Sequence, residues 1–442
     1  MKKMRIIAPY IKKRTVMKKN LRRFVGGTLL LIATACGKNN TDPDPTPDPE
    51  PGVDPTPEIV VRDLSANGTS NCYIILQTGA CSFDATVKGN GAATEGLDAP
   101  EKMSPDSAAL VWETSKGMIT DVKLKDGTIS FKAGDVNGNA LIAAYSADKR
   151  VIWSWDIWFQ EENVKTVTAK TGYEVMNMNL GAMTSAFGSA PDVKPYGLLY
   201  QWGRKDPFPS APSLTGNEKT QPVPVYGPDG TEVKITYSLW SSVENNTIEY
   251  SIANPTKCLS NYAQYNTSRD WLKASDSNDA LWGNPKGGER NSDNNYVNKG
   301  SKSFYDPCPV GYRVPPADVF RTFTTTGGYT QDPSSFDVVD VNGDGVIDAK
   351  DYNYGWSFNM KEGSLFFPAA ARYDGSYAML MGSKSGLWGS YWGNSPAKSY
   401  NEKTSGFGFC VLAFMNEAAG TSVSATASAG RADAYSIRCI KE

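Results

Sequence analysis

Histidine is absent from all 442 residues. That absence removes Ser-His-Asp triads, Cys-His dyads, histidine-ligated zinc and the imidazole general base. Catalysis would have to rest on paired carboxylates or a lysine base, so the chain is expected to bind rather than to catalyse. No Cys-x-x-Cys pair occurs, which leaves out the common thiolate metal and redox motifs. The run Thr325-Thr326-Gly327-Gly328 lacks the Lys-Ser/Thr of a phosphate loop. Helical periodicity is scarce, while Gly, Asn, Ser, Thr and aromatics are abundant, so a β-rich fold is expected. Acid is missing from residues 1–36, which hold ten of the 45 Lys/Arg. Without them, 35 basic residues face 47 acidic ones, a net of −12. An acidic surface argues against nucleic acid as a partner.

What is present begins with that basic leader. Arg22 and Arg23 precede an apolar run, Phe24–Ala35, that ends in small residues at Cys36-Gly37. The run is shorter than the ~20 residues a membrane span needs, and a charged start, apolar middle and small-residue exit describe a secretory signal. The cysteine at its end resembles a bacterial lipobox, with Ala33 where that motif prefers Leu. The resemblance implies that Cys36 becomes an acylated first residue, anchored in the outer membrane and facing outward. Translation can start at Met1, Met4 or Met17; the signal from Met17 alone has ordinary proportions.

Residues 37–58 alternate Pro with Asp, Glu and Thr. Proline holds each preceding residue extended and the acids repel, so the segment reads as a stalk. At about 3.1 Å per residue it would reach roughly 60–70 Å. The expected order is thus a signal (1–36), a linker (37–58), a β-sandwich (59–165) and a second domain (166–442).

Residues 59–165 read as short strands with turns between them, Lys125-Asp126-Gly127 being a hairpin turn. In Val151–Phe159, Trp153, Trp155 and Ile157 share one face and Ile152 and Trp158 the other. This is a core strand with one rim aromatic, or else a sugar platform. Cys72 and Cys81 either pair across a hairpin or are buried free thiols. Six cysteines besides Cys36 allow 15 pairings.

After 166 the strands shorten and the loops lengthen. Five segments stand out: Val175–Ala182, Tyr196–Arg204, Asp306–Pro315, Gly389–Ser395 and Tyr435–Lys441. Their order and wording resemble the Fibrobacter succinogenes major paralogous domain, of C-type lectin-like fold, over about 175–442. The first domain is similar to those that precede this module in Bacteroidetes lipoproteins and fimbrillin-type subunits. The resemblance implies an α+β C-type lectin-like domain and no catalytic set. It also implies a disulfide between Cys308 and Cys439, leaving Cys258 with Cys410 as the next pair. The Glu-Pro-Asn, Gln-Pro-Asp and Trp-Asn-Asp segments of calcium-dependent sugar-binding lectins are missing here.

The sharpest chemical motif is Asp340–Asp351. Asp340, Asn342 and Asp344 can offer side-chain oxygens to Ca²⁺, Val346 its carbonyl, Asp348 a water-mediated contact and Asp351 the closing carboxylate. Gly345 permits the sharp turn. Asp at the closing position makes the loop resemble a dockerin-type calcium loop, and its expected job is structural. Trp202 with Arg204, and Arg372, Tyr373, Trp388, Tyr391 and Trp392, are candidates for a ligand platform or for core. Three functions follow as expectations: a surface adhesin meeting host protein or glycan, a structural fimbrial subunit, or a carboxylate-based glycosidase.

Overall fold

Side chains alternate across a strand, and this sorts the buried apolar residues of 60–165 into two clusters. The computed structural model describes residues 60–442 except 215–220, 239–244, 261–269, 294, 378, 397–404 and 413–420, with backbone only for 238, 274 and 405–412. The signal, Cys36 and the linker lie outside the described residues. Eight strands come first: β1 (Arg62–Asp63), β2 (Cys72–Ile75), β3 (Gly79–Asp84), β4 (Ser107–Glu113), β5 (Ile119–Lys125), β6 (Thr128–Ala133), β7 (Gly138–Tyr145) and β8 (Val151–Phe159). Lys125 pairs with Thr128 across the expected turn, where Asp126 and Gly127 both take positive φ. That is the conformation a two-residue hairpin turn requires.

One sheet runs β1-β3-β6-β5. The other runs β4-β7-β8-β2 and is extended beyond β4 by two later strands, Val225–Tyr226 and Glu232–Val233. Tyr73, Ile142, Trp155 and Ile157 of this second sheet meet Phe83, Ile129 and Phe131 of the first in one apolar cluster. The opposite face of the second sheet, with Cys72, Trp112, Leu141 and Trp158, packs on Met176, Leu180, Tyr200 and Trp202. Both faces of this sheet are therefore buried. Trp158 is not a rim aromatic: it is fully buried and donates its Nε1–H to the Ala182 carbonyl at 2.7 Å.

The rest of the chain is also β-rich, with short strands and little helix; one helical segment is Ile248–Ala253. Thr247 caps that helix by accepting from the Tyr250 N–H at 3.1 Å. The final strand, Ile440–Lys441, lies between Glu174–Met176 and Tyr312–Arg313. Trp388–Gly393 pairs with Ser405–Leu412, which pairs in turn with Ser422–Gly430. Residues 59–442 form one compact unit, and the larger cluster draws on both sides of residue 165.

The disulfide Cys308–Cys439 is present, with 6.1 Å between the Cα atoms and a sequence separation of 131. Three other cysteines are free thiols. Cys72 and Cys81 are buried free thiols, because β2 and β3 belong to different sheets and point them into different clusters. Cys258 is also a free buried thiol, so it does not bond Cys410. It sits beside Ala370 and Tyr373, and burial pushes it up to about 12. The side chain of Cys410 lies outside the described residues.

Candidate functional site

The aromatic residues singled out as a platform are mostly core. Trp202, Tyr373, Tyr391 and Trp392 are fully buried, and Arg204 nearly so. The strand Trp388–Gly393 explains two of them. Successive side chains point to opposite faces, so Tyr391 enters one cluster and Trp392 another. The Trp392 ring stacks on Tyr435 at 4.2 Å, and Trp202 carries the Arg431 guanidinium at 4.2 Å. Tyr373 donates its hydroxyl to the Pro209 carbonyl at 2.7 Å, and Tyr391 donates to Pro368 at 2.7 Å. Arg204 donates to Gln201 Oε1 and to the Lys257 carbonyl at 2.9 and 2.8 Å. These groups already have protein partners, and burial keeps them from an outside ligand. Arg372 and Trp388 alone remain half-buried; the guanidinium lies 4.8 Å from the indole centre.

The acidic loop is exposed and organised by its own amides. Asp340 accepts from the N–H groups of Gly343 and Gly345 at 2.7 Å each. Gly345 has φ +81°, as the sharp turn demands. Asn342 accepts from Asp344 N–H at 2.9 Å, and Asp344 from Val346 N–H at 3.0 Å. Asp351 is buried and accepts from Val341 and Asp348 N–H at 2.8 and 2.9 Å. Lys350 spans Asp344 and Asp348 at 3.3 and 3.2 Å. The Val346 hydrogen bond, with Lys350 behind it, holds the Asp344 carboxyl below its usual range. Among the described residues, no three His, Cys, Asp or Glu groups are gathered closely enough to hold a metal ion. The donor chemistry suits Ca²⁺, but loading it would require Lys350 to give up both carboxylates.

A second feature was not singled out in the sequence. A cleft of about 660 Å³ opens beside the 3₁₀ segment Ala317–Phe323 and the turn that follows it. This is within the 300–1,000 Å³ range usual for ligand sites. Asp318 and Arg321 project from the segment, which buries Val319, Phe320 and Phe323 in the core on its other side. Thr324, Thr325, Thr326 and Gly327 also line it, Thr324 buried and Thr325 and Thr326 exposed; Gly327 turns the chain at φ +68°, its N–H bonded to the Thr324 carbonyl at 3.1 Å. Opposite stand Lys170, Asn295, Tyr296 and Asp337.

Each charged group of the cleft already has a hydrogen-bond partner. Lys170 pairs with Asp337, whose other oxygen accepts from Asn359 at 3.1 Å. Both oxygens of Asp318 receive the Tyr173 hydroxyl, at 3.1 and 3.0 Å. Burial, and then the neighbouring Asp318 carboxylate, push the Tyr173 hydroxyl above its ordinary range. Arg321 donates to the Asn295 side-chain oxygen. The only part of it read in the sequence was the run Thr325-Thr326-Gly327-Gly328, which matched no phosphate loop. No family model, no curated protein and no solved structure matches this chain.

Proposed function

We propose that this chain is an outer-membrane lipoprotein that displays a ligand-binding body outside the cell. The observation that carries the reading is the order basic leader, apolar run, Cys36, Pro/Asp stalk and β-rich body. An acylated cysteine can carry more than one chain, which stable anchoring needs. Residues 60–165 are read as a β-sandwich, on the strength of two sheets sharing one cluster. Residues 166–442 are read as a C-type lectin-like module of the Fibrobacter succinogenes paralogous type. The Cys308–Cys439 bond, which that resemblance implies, supports the reading. The ligand site we assign to this module is the cleft at Asp318 and Arg321, not the buried aromatics. Residues 340–351 are proposed as a calcium loop of structural role, with Asp351 already seated at its base.

The test of the anchor is Cys36→Ser with membrane fractionation and fatty-acid labelling. The variant should lose its label and leave the envelope for the soluble fraction. A Cys36→Ser protein that stayed in the outer membrane would sink the anchoring claim.

A further inference from the structure

We infer that the cleft at Asp318, Arg321 and the Thr324–Gly327 turn binds an uncharged glycan. The inference rests on the reading of the chain as a surface binding module and adds its ligand class. Charge is the first argument. The cleft holds two carboxylates, Asp318 and Asp337, and two cations, Lys170 and Arg321. An anionic ligand would meet both acids, and a cationic one would meet both bases. Lys170 already pairs with Asp337, and Asp318 and Arg321 balance each other in sign, so the cleft offers no net charge to attract an ion of either kind. A neutral ligand meets no such conflict.

Hydrogen-bonding type is the second argument. Asp318 can only accept, Arg321 can only donate, and Asn295 and the threonine hydroxyls do both. Sugar hydroxyls donate and accept, so neighbouring hydroxyls on one ring can satisfy acceptor and donor groups together. Thr325 and Thr326 are exposed, and the Thr326 hydroxyl, which meets the Thr324 hydroxyl at 3.3 Å, is a group that both donates and accepts.

Wall chemistry is the third. Most small-molecule pockets are apolar with a few polar groups. This one is lined by hydroxyl, amide and charged side chains, with the buried Tyr296 as its aromatic member. Peptide recognition by an extended chain needs side-chain pockets or a free strand edge. The lining residues include no Val, Leu, Ile, Met or Phe side chain to build such pockets.

The test uses the full-length chain in detergent on an array of neutral, sialylated and sulfated oligosaccharides together with unglycosylated peptides. Neutral oligosaccharides should bind. Thr326→Trp places an indole at the exposed rim and should weaken that binding about tenfold or more. Tyr377→Ala, at an exposed site that does not line the cleft, should leave it unchanged. Thermal melting of each variant separates loss of binding from loss of fold; should Thr326→Trp melt early, Asp318→Asn takes its place. Binding confined to acidic glycans or to peptides, binding indifferent to the cleft variant, or no binding at all would each overturn the inference. None of those results touches the anchor, which the Cys36→Ser fractionation decides separately.

Discussion

Residues 60–165 and 166–442 solve the same problem by different means. In the first region most strands are six to nine residues long, and period-two alternation feeds both faces of a sheet. Val151–Phe159 alone supplies Trp153, Trp155, Ile157 and Phe159 to one cluster and Trp158 to the other. In the second region most strands have two to five residues, the Ser405–Leu412 and Ser422–Gly430 pair being the main exception. Short strands expose more backbone polar groups per buried side chain, so other ties must hold them. Arg438 is one. It is fully buried, stacks on Phe367 at 4.2 Å and donates to Asn179 Oδ1 at 2.9 Å and the Phe366 carbonyl at 2.8 Å. Lys302 is another, donating to the Cys308 and Pro309 carbonyls at 2.7 and 2.9 Å beside the disulfide. Regular strands stabilise themselves through apolar area; irregular ones need covalent and charged fasteners.

The largest test of that contrast removes the disulfide. Closing a 131-residue loop is worth about 5 kcal/mol in the chain-entropy model. Cys308→Ser with Cys439→Ser should therefore lower the melting temperature strongly, and calorimetry should show the loss in one transition because the two regions share a core. Two separated transitions, with only the later one shifted, would break the claim of a shared core.

Next in size is Asp156, on the face of β8 where the regions meet. It is buried, one oxygen has no partner, and burial raises its pKa to about 8. The folded protein thus keeps a proton that the unfolded chain releases near pH 4. Stability is full below the unfolded value and falls as pH rises toward about 8, then levels off. The slope for one such group is about 1.4 kcal/mol per pH unit. Asp156→Asn should flatten the dependence of melting temperature on pH between 5 and 8 and stabilise the fold at neutral pH. An unchanged slope would mean that Asp156 is ionised in the fold.

The smallest effect belongs to the acidic loop, which is exposed and far from the shared core in character. Calcium at 100-fold excess over its Kd would add about 2.7 kcal/mol. Melting should rise with calcium, fall with chelator, and become insensitive to both in Asp344→Ala. Identical curves for the unaltered protein with and without calcium would remove the metal from the account.

Legibility followed the same divide. The strands of 60–165, the Lys125-Asp126-Gly127 turn and the facing of Trp153, Trp155 and Ile157 could be read from spacing, because a strand's period is a local property. The fate of Trp158 could not, since a residue on the second face is at the rim or in a second core depending on what packs there. In 166–442 the Cys308–Cys439 tie followed from resemblance, while Trp202, Tyr391 and Trp392 read as core with a ligand platform as the alternative. The cleft escaped notice because Lys170, Asn295, Arg321 and Asp337 are scattered along the chain.

Sequence alone determined the β-rich character, the exclusion of imidazole chemistry and the order of basic leader, apolar run and Pro/Asp segment, since each depends on composition or on neighbours along the chain. Tertiary structure decided which aromatics are core, which of the described cysteines bond and where a cleft opens. Those outcomes depend on contacts between residues tens to hundreds of positions apart, and no local pattern encodes them.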